Sequence, residues 1–200
     1  MADSIHIKLP DGSIKEMPKG TTALDVAKDI SPRLADAAVV AKTNGDLIDL
    51  TRPLEHDTEL RILTEKDPEA LEVYRHSSAH LLAAAVLELF PETKLGHGPA
   101  TENGFFYDFY RPTPFTPEDL EKIEKKMQEL AQQNIPYARE FLPRQEGLEK
   151  FKGEGDFMKC HFIEQFTKPD EKISIYRTGK FVDFCRARKA SRSSRPRATS

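Results

Sequence analysis

The hydrophobic pattern of this chain changes period at Glu65-Lys66-Asp67-Pro68-Glu69, and that change constrains the fold more than any other feature. Before it, apolar residues alternate with polar ones, as in Ile5, Ile7 and Leu9, the period of a half-buried strand. After it they recur three and four apart, as Leu71, Tyr74, Ala79, Leu82, Val86 and Leu89, the period of a helix face. A strand-rich segment and a helix-led one, separated by a charged joint containing Pro68, predict two small domains within 200 residues. The expected divisions are residues 1–63, a linker at 64–67, a second domain at 68–186 and a basic tail at 187–200.

In the first segment, Pro10-Asp11-Gly12 supplies turn chemistry between a strand at Ser4–Leu9 and its return at Ser13–Met17. Thr21 or Thr22 can cap a short helix bearing Leu24, Val26, Ala27 and Ile30, which Ser31-Pro32 stops. Ala38–Thr43 is β-rich, Asn44-Gly45 is a strong hairpin signal, Asp46–Asp49 answers it, and Leu60–Leu63 closes the unit. One helix amid short strands predicts a β-grasp, ubiquitin-like layer.

In the second segment, Pro68 opens a helix that Pro91 ends, and Gly96–Tyr110 reads as turns and strands. Thr116-Pro117-Glu118-Asp119 caps a helix to about Asn134, with Leu120, Ile123, Met127 and Leu130 as its buried stripe. Strands are expected at Ile135–Leu142, Cys160–Phe166, Lys172–Tyr176 and Lys180–Phe184. The fold class is therefore α+β, with helices against a mostly antiparallel sheet.

Charge and composition narrow the function. The chain has 30 basic and 33 acidic residues, a net −3, with 38% hydrophobic and 8% aromatic residues, which fits neither a membrane span nor a disordered polyelectrolyte. The last fourteen residues hold Arg188, Lys189, Arg192, Arg195 and Arg197 and no acid, so the first 186 set 25 basic groups against all 33 acids, a net −8. Two cysteines, Cys160 and Cys185, lack any pairing pattern, and the N-terminus lacks a basic, then apolar, leader. The expected compartment is a reducing cytoplasm.

His76 and His80 lie four apart on the predicted helix, so both imidazoles project from one face. Ser77 stands where a zincin peptidase would carry its general-base Glu, which argues against that class, and the small Ser77, Ser78 and Ala79 suggest open space beside the rings. Strand alternation puts Asp183 and Cys185 on one face. Two His and one Cys would suit zinc if a fourth ligand were available, while the plain alternatives are two ordinary polar helix residues and a small buried thiol.

Four motifs in order carry a family resemblance: the β-grasp opening with Leu9-Pro-Asp-Gly-Ser13, Arg75-His-Ser-Ser-Ala-His-Leu-Leu-Ala83, Gly98-Pro-Ala-Thr-Glu-Asn-Gly-Phe-Phe-Tyr-Asp108 and Phe181-Val-Asp-Phe-Cys-Arg186. Over residues 1 to about 186 the chain resembles the N-terminal half of bacterial threonyl-tRNA synthetase. Residues 1–63 look like its TGS domain, and about 68–186 look like the domain that hydrolyses mischarged seryl-tRNA. The His-x-x-x-His helix with a distant Cys is shared with the alanyl-tRNA synthetase editing domain, but the TGS-like unit points to the threonyl enzyme.

By position, the resemblance implies an editing pocket of His76, His80, Lys159, Asp183 and Cys185, lined by Gly98 and Tyr107. The family motif ends Cys-x-x-x-His; here the last position is Lys189, after which the match stops in an Arg/Ser/Ala run. The expectation is a truncated or frame-shifted chain, its second domain incomplete at the C-terminus. The resemblance implies no cofactor and no metal for editing, though His76, His80 and Cys185 would be the ligands of a zinc. ATP, magnesium and a further zinc belong to the family's ligase core, whose motifs are not found. The implied partner is the acceptor end of threonine tRNA, with no membrane and no DNA, and a monomer because the family's dimer depends on that core. Two rival readings are a non-catalytic tRNA- or RNA-binding module and a metal-storage or sensing protein.

Overall fold

A computed structural model of the chain describes residues 3–133, 135 and 137–185. The expected tail at 187–200, Lys189 and the completeness of the second domain's C-terminus lie outside the described residues. The chain divides into two compact units between Tyr74 and Arg75.

The first unit begins with the antiparallel pair β1 (Ser4–Lys8) and β2 (Ile14–Pro18). Helix α1 (Ala23–Ile30) follows, its N-terminus closed by a capping box in which Thr22 and Asp25 each satisfy the other's backbone N–H. Ser31 then ends α1 and caps α2 (Pro32–Ala37). Strand β3 (Ala38–Thr43) turns through Asn44 and Gly45, both at positive φ as a type I′ hairpin requires, into β4 (Asp46–Ile48). Strand β5 (Thr58–Thr64) lies parallel to β1 and antiparallel to β3, so the sheet order is β2-β1-β5-β3-β4. Ile5, Ile7, Val26, Ala41, Ile48 and Leu60 form the core between helix and sheet. Of the anticipated α1 stripe, Val26 and Ala27 are buried and Leu24 packs at the margin, whereas Ile30 is 40% exposed.

Helix α3 (Pro68–Leu89) starts after the Glu65–Asp67 turn. Its first turns belong to the first unit: Ala70 and Val73 bury against Val39, Val40 and Leu63. Helical periodicity thus begins at the expected joint, while the division of contacts falls about two turns later.

In the second unit, α3 from Ser77 to Val86 is buried on every side but Leu82, the pattern of a central helix rather than a single stripe. Strands β6 (Lys94–Leu95), β7 (Ala100–Thr101), β8 (Gly104–Phe105) and β9 (Phe109–Tyr110) nest as one irregular hairpin. Helix α4 (Pro117–Gln132) carries a second capping box, Thr116 with Asp119, and buries Ile123 and Leu130, with Leu120 left 58% exposed. A three-stranded antiparallel sheet of β10 (Ala138–Pro143), β11 (Lys172–Thr178) and β12 (Phe181–Phe184) follows, in that order. Helices α5 (Arg144–Gly153) and α6 (Phe157–Phe166) lie between β10 and β11 in the chain.

The expected strand at Cys160–Phe166 is helix α6 instead. Its Cys, Phe and Ile content suits a strand, but Asp156 accepts a hydrogen bond from the Lys159 N–H and caps a helix, and Lys159 and Ile163, four apart, share its buried face. Helix α5 has no counterpart in the sequence reading because Gly147 sits within it; that glycine is buried, and a Cβ there would strike the Ile173 side chain. Among the described residues no helix is long and apolar enough to cross a membrane.

Candidate functional site

The site is built from the middle of α3, the inward face of α6, the end of β12 and the hairpin of β6–β9. Helical spacing places the His76 and His80 rings side by side, with centroids 4.6 Å apart and planes tilted by 58°. Cys185 follows β12, where its N–H donates to the Ser174 carbonyl and the Ser174 hydroxyl donates to the Cys185 carbonyl. These bonds extend the β11–β12 pairing by one residue and hold the Cys185 Sγ 2.8 Å from His76 Nε2. Asp183, two residues earlier and on the same strand face, is buried with it.

Asp183 is the electrostatic centre. One carboxylate oxygen accepts from the Lys159 ammonium, and the other accepts from the Tyr107 hydroxyl at 2.6 Å. Both side chains of the ion pair are nearly inaccessible, at 4% and 6% exposure. Gly98 packs against Tyr107, and a Cβ at that position would overlap the ring. All seven residues implied by the family resemblance, His76, His80, Gly98, Tyr107, Lys159, Asp183 and Cys185, therefore sit in this one region or against its walls.

Burial decides the protonation states. It pushes the His76 imidazole down to about 3, with the neighbouring His80 and His97 adding to the depression and Asp183 opposing it. Burial also lowers His80, again against the pull of Asp183. For Asp183, burial alone would favour the acid, but the Lys159 ammonium, the His80 ring and the two donated hydrogen bonds outweigh it and hold the carboxyl below its usual range. Burial and the adjacent carboxylate raise Tyr107 far above its ordinary value. At neutral pH the site thus holds two neutral imidazoles, a phenol and a closed ammonium–carboxylate pair.

Sequence reasoning missed the shell that fixes His80. Tyr137, Tyr176 and Phe181 present edges to its ring at centroid distances of 6.2, 5.6 and 5.7 Å, so the space beside the histidines is filled rather than open. The Tyr137 hydroxyl also donates to the Ser77 carbonyl at 2.9 Å, tying the loop before β10 to α3. The signal in the sequence was the β11 alternation itself, which aims Tyr176 at the same side as its pairing partner Asp183.

His76, His80 and Cys185 offer three ligand atoms within 4.8 Å of one another. That donor set and spacing fit three corners of a tetrahedral zinc site. The short His76–Cys185 contact also satisfies the two residues without an ion.

Comparison with known proteins agrees with this architecture. A TGS domain match spans residues 5–64. Threonine–tRNA ligase from Acidobacterium capsulatum is 57% identical over 93% of this chain, and those from Rickettsia peacockii and Rickettsia bellii are 52% and 51% identical over 91% of it. The chain spans only about 28–32% of the length of these relatives. It is homologous to the N-terminal part of threonine–tRNA ligase, with a TGS domain as its first unit.

Proposed function

We propose that the second unit hydrolyses serine from mischarged threonine tRNA, working in the cytoplasm on the acceptor end of that RNA. The observation that carries this reading is a pair of neutral imidazoles, His80 buried and His76 half-buried, beside a buried Lys159–Asp183 pair, on a chain homologous to threonine–tRNA ligase. Threonine and serine differ by one methyl group, and a difference of that size is worth only about 1–3 kcal/mol of discrimination, too little for accurate translation without a second, hydrolytic site.

The attacking water is held by His76. An imidazole with a pKa near 3 retains a proton poorly, so its part is to accept a hydrogen bond and orient the water rather than to store the proton. The water oxygen bonds to the ester carbonyl carbon, the carbon–ribose oxygen bond breaks, and the water proton passes to the leaving ribose oxygen, giving serine and free tRNA. The Lys159 ammonium faces the oxyanion and the leaving oxygen. Asp183 fixes Lys159 and receives the substrate amino group, and Cys185 and Tyr107 line the space for the serine side chain; hydrolysis that spares threonine requires that space to have no room for the extra methyl. None of these steps needs a cofactor, and ATP-dependent threonylation is assigned to the rest of the longer relatives.

The test is release of serine from seryl-tRNA by this chain beside a version carrying Lys189→His and the family ending. Hydrolysis above the spontaneous rate is expected, slowed by about 100-fold or more in His76→Ala or Lys159→Ala. Salt-sensitive tRNA binding without hydrolysis in either version would replace this reading with a non-catalytic RNA-binding module.

A further inference from the structure

Helix α6 has two unlike faces. One buries Lys159 and Ile163, and Lys159 belongs to the site. Another carries Met158, Phe162 and Phe166, each four residues from the next and so aligned along one ridge. Met158 and Phe166 are 40% and 41% exposed, and Phe162 and Phe166 lie with ring planes 16° apart and centroids 6.0 Å apart. On the helical wheel Phe162 is only about 60° round from Lys159, so the ridge borders the buried face directly. His97 joins the two: its ring lies 6.2 Å from Phe162, and it precedes the Gly98 that packs on Tyr107.

We propose that this ridge, Met158–Phe162–Phe166 with His97, is a stacking platform for the unpaired bases that precede the terminal nucleotide of the RNA substrate. The inference rests on the hydrolytic reading of the site. If an ester on the last ribose sits at His76 and Lys159, the nucleotides before it must leave across the surface next to the site. The row of side chains beginning at His97 borders that site, through Gly98 on one side and through Lys159 of the same helix on the other. Unpaired bases stack on aromatic side chains whatever their identity, so a platform of this kind needs no base-specific hydrogen bonds.

Two substrates separate the platform from the chemistry: a seryl ester of adenosine alone, and the same ester on an RNA minihelix with its single-stranded end. For Phe162→Ala and Phe166→Ala, KM for the minihelix should rise about tenfold per lost stacking surface with kcat retained, and hydrolysis of seryl-adenosine should stay at the wild-type rate. Phe166→Trp should restore minihelix binding. Equal effects on both substrates, or no effect on either, would overturn the platform while leaving the hydrolytic reading intact. Failure of the wild-type chain to hydrolyse either ester would instead remove the hydrolytic reading. Sedimentation of the same variants covers the other occupant: if the wild-type chain self-associates and Phe166→Ala abolishes that without changing minihelix KM, the ridge is a contact between copies and the proposal fails.

Discussion

The two units differ in what they keep inside. Among the described residues the buried side chains of the first unit are apolar, and its ion pairs, such as Lys8–Glu59 and Lys15–Asp29, lie at the surface. Every buried polar or charged residue among those described falls in the second unit: Ser77, Ser78, His80, Thr93, Lys159, Thr167, Ser174 and Asp183. Apolar burial stabilises without demanding partners. A buried charge is tolerable only while its partner and hydrogen bonds persist. One interior therefore needs only packing, and the other holds polar and charged groups in place at a cost to stability.

The largest test of that contrast breaks the ion pair. Asp183→Ala leaves the Lys159 ammonium buried without a counter-charge and should destabilise the second unit by about 3–5 kcal/mol in chemical denaturation, with the first unit's transition unmoved. Replacing both partners by Lys159→Met and Asp183→Leu should recover most of that stability and none of the ester hydrolysis. A full loss in the double variant would mean that the pair supports the fold itself.

Acid should divide the units next. His76 is neutral in the folded unit and takes a proton more readily once unfolded, so the unfolded state binds more protons between roughly pH 6.5 and the folded value of about 3. Stability therefore falls as pH falls through that window. The lowered Asp183 pKa acts in the same direction at the acid end of it. Unfolding followed by far-UV circular dichroism should show the second unit melting first in acid, and His76→Phe should flatten the upper part of the slope. Identical acid midpoints for the two units would contradict this assignment of protonation states.

The smallest effect should be the same in both. Thr22→Ala and Thr116→Ala each remove one capping box, and each should cost about 1 kcal/mol of its own unit's stability by denaturant titration. A much larger loss at one site would show that the capped helix does more than close its own end.

The sequence yielded most where local rules act alone. Asn44-Gly45, Pro10-Asp11-Gly12 and the two Thr caps specify their turns and helix starts without help from the rest of the chain. His76 and His80 were legible because four-residue spacing fixes their common face, and Asp183 and Cys185 because strand alternation does the same. Lys159 had no such signature. It sits on a helix that its own residues disguise as a strand, and only resemblance to a family pointed to it. Tyr137 and Ser174 were invisible for a different reason, since their importance lies in backbone carbonyls of distant residues, Ser77 and Cys185.

The closing of the first unit by α3 has a consequence for synthesis. Val39, Val40 and Leu63 are covered by Ala70 and Val73, which are translated after the last strand of the sheet is complete. At about 5–20 residues per second, the roughly ten residues from Leu63 to Val73 leave the ribosome's active centre over on the order of a second. During that interval a nascent chain with all five strands made still carries an uncovered apolar strip, so the moment at which this domain becomes safe from aggregation is set by the opening turns of the next element and not by its own last strand.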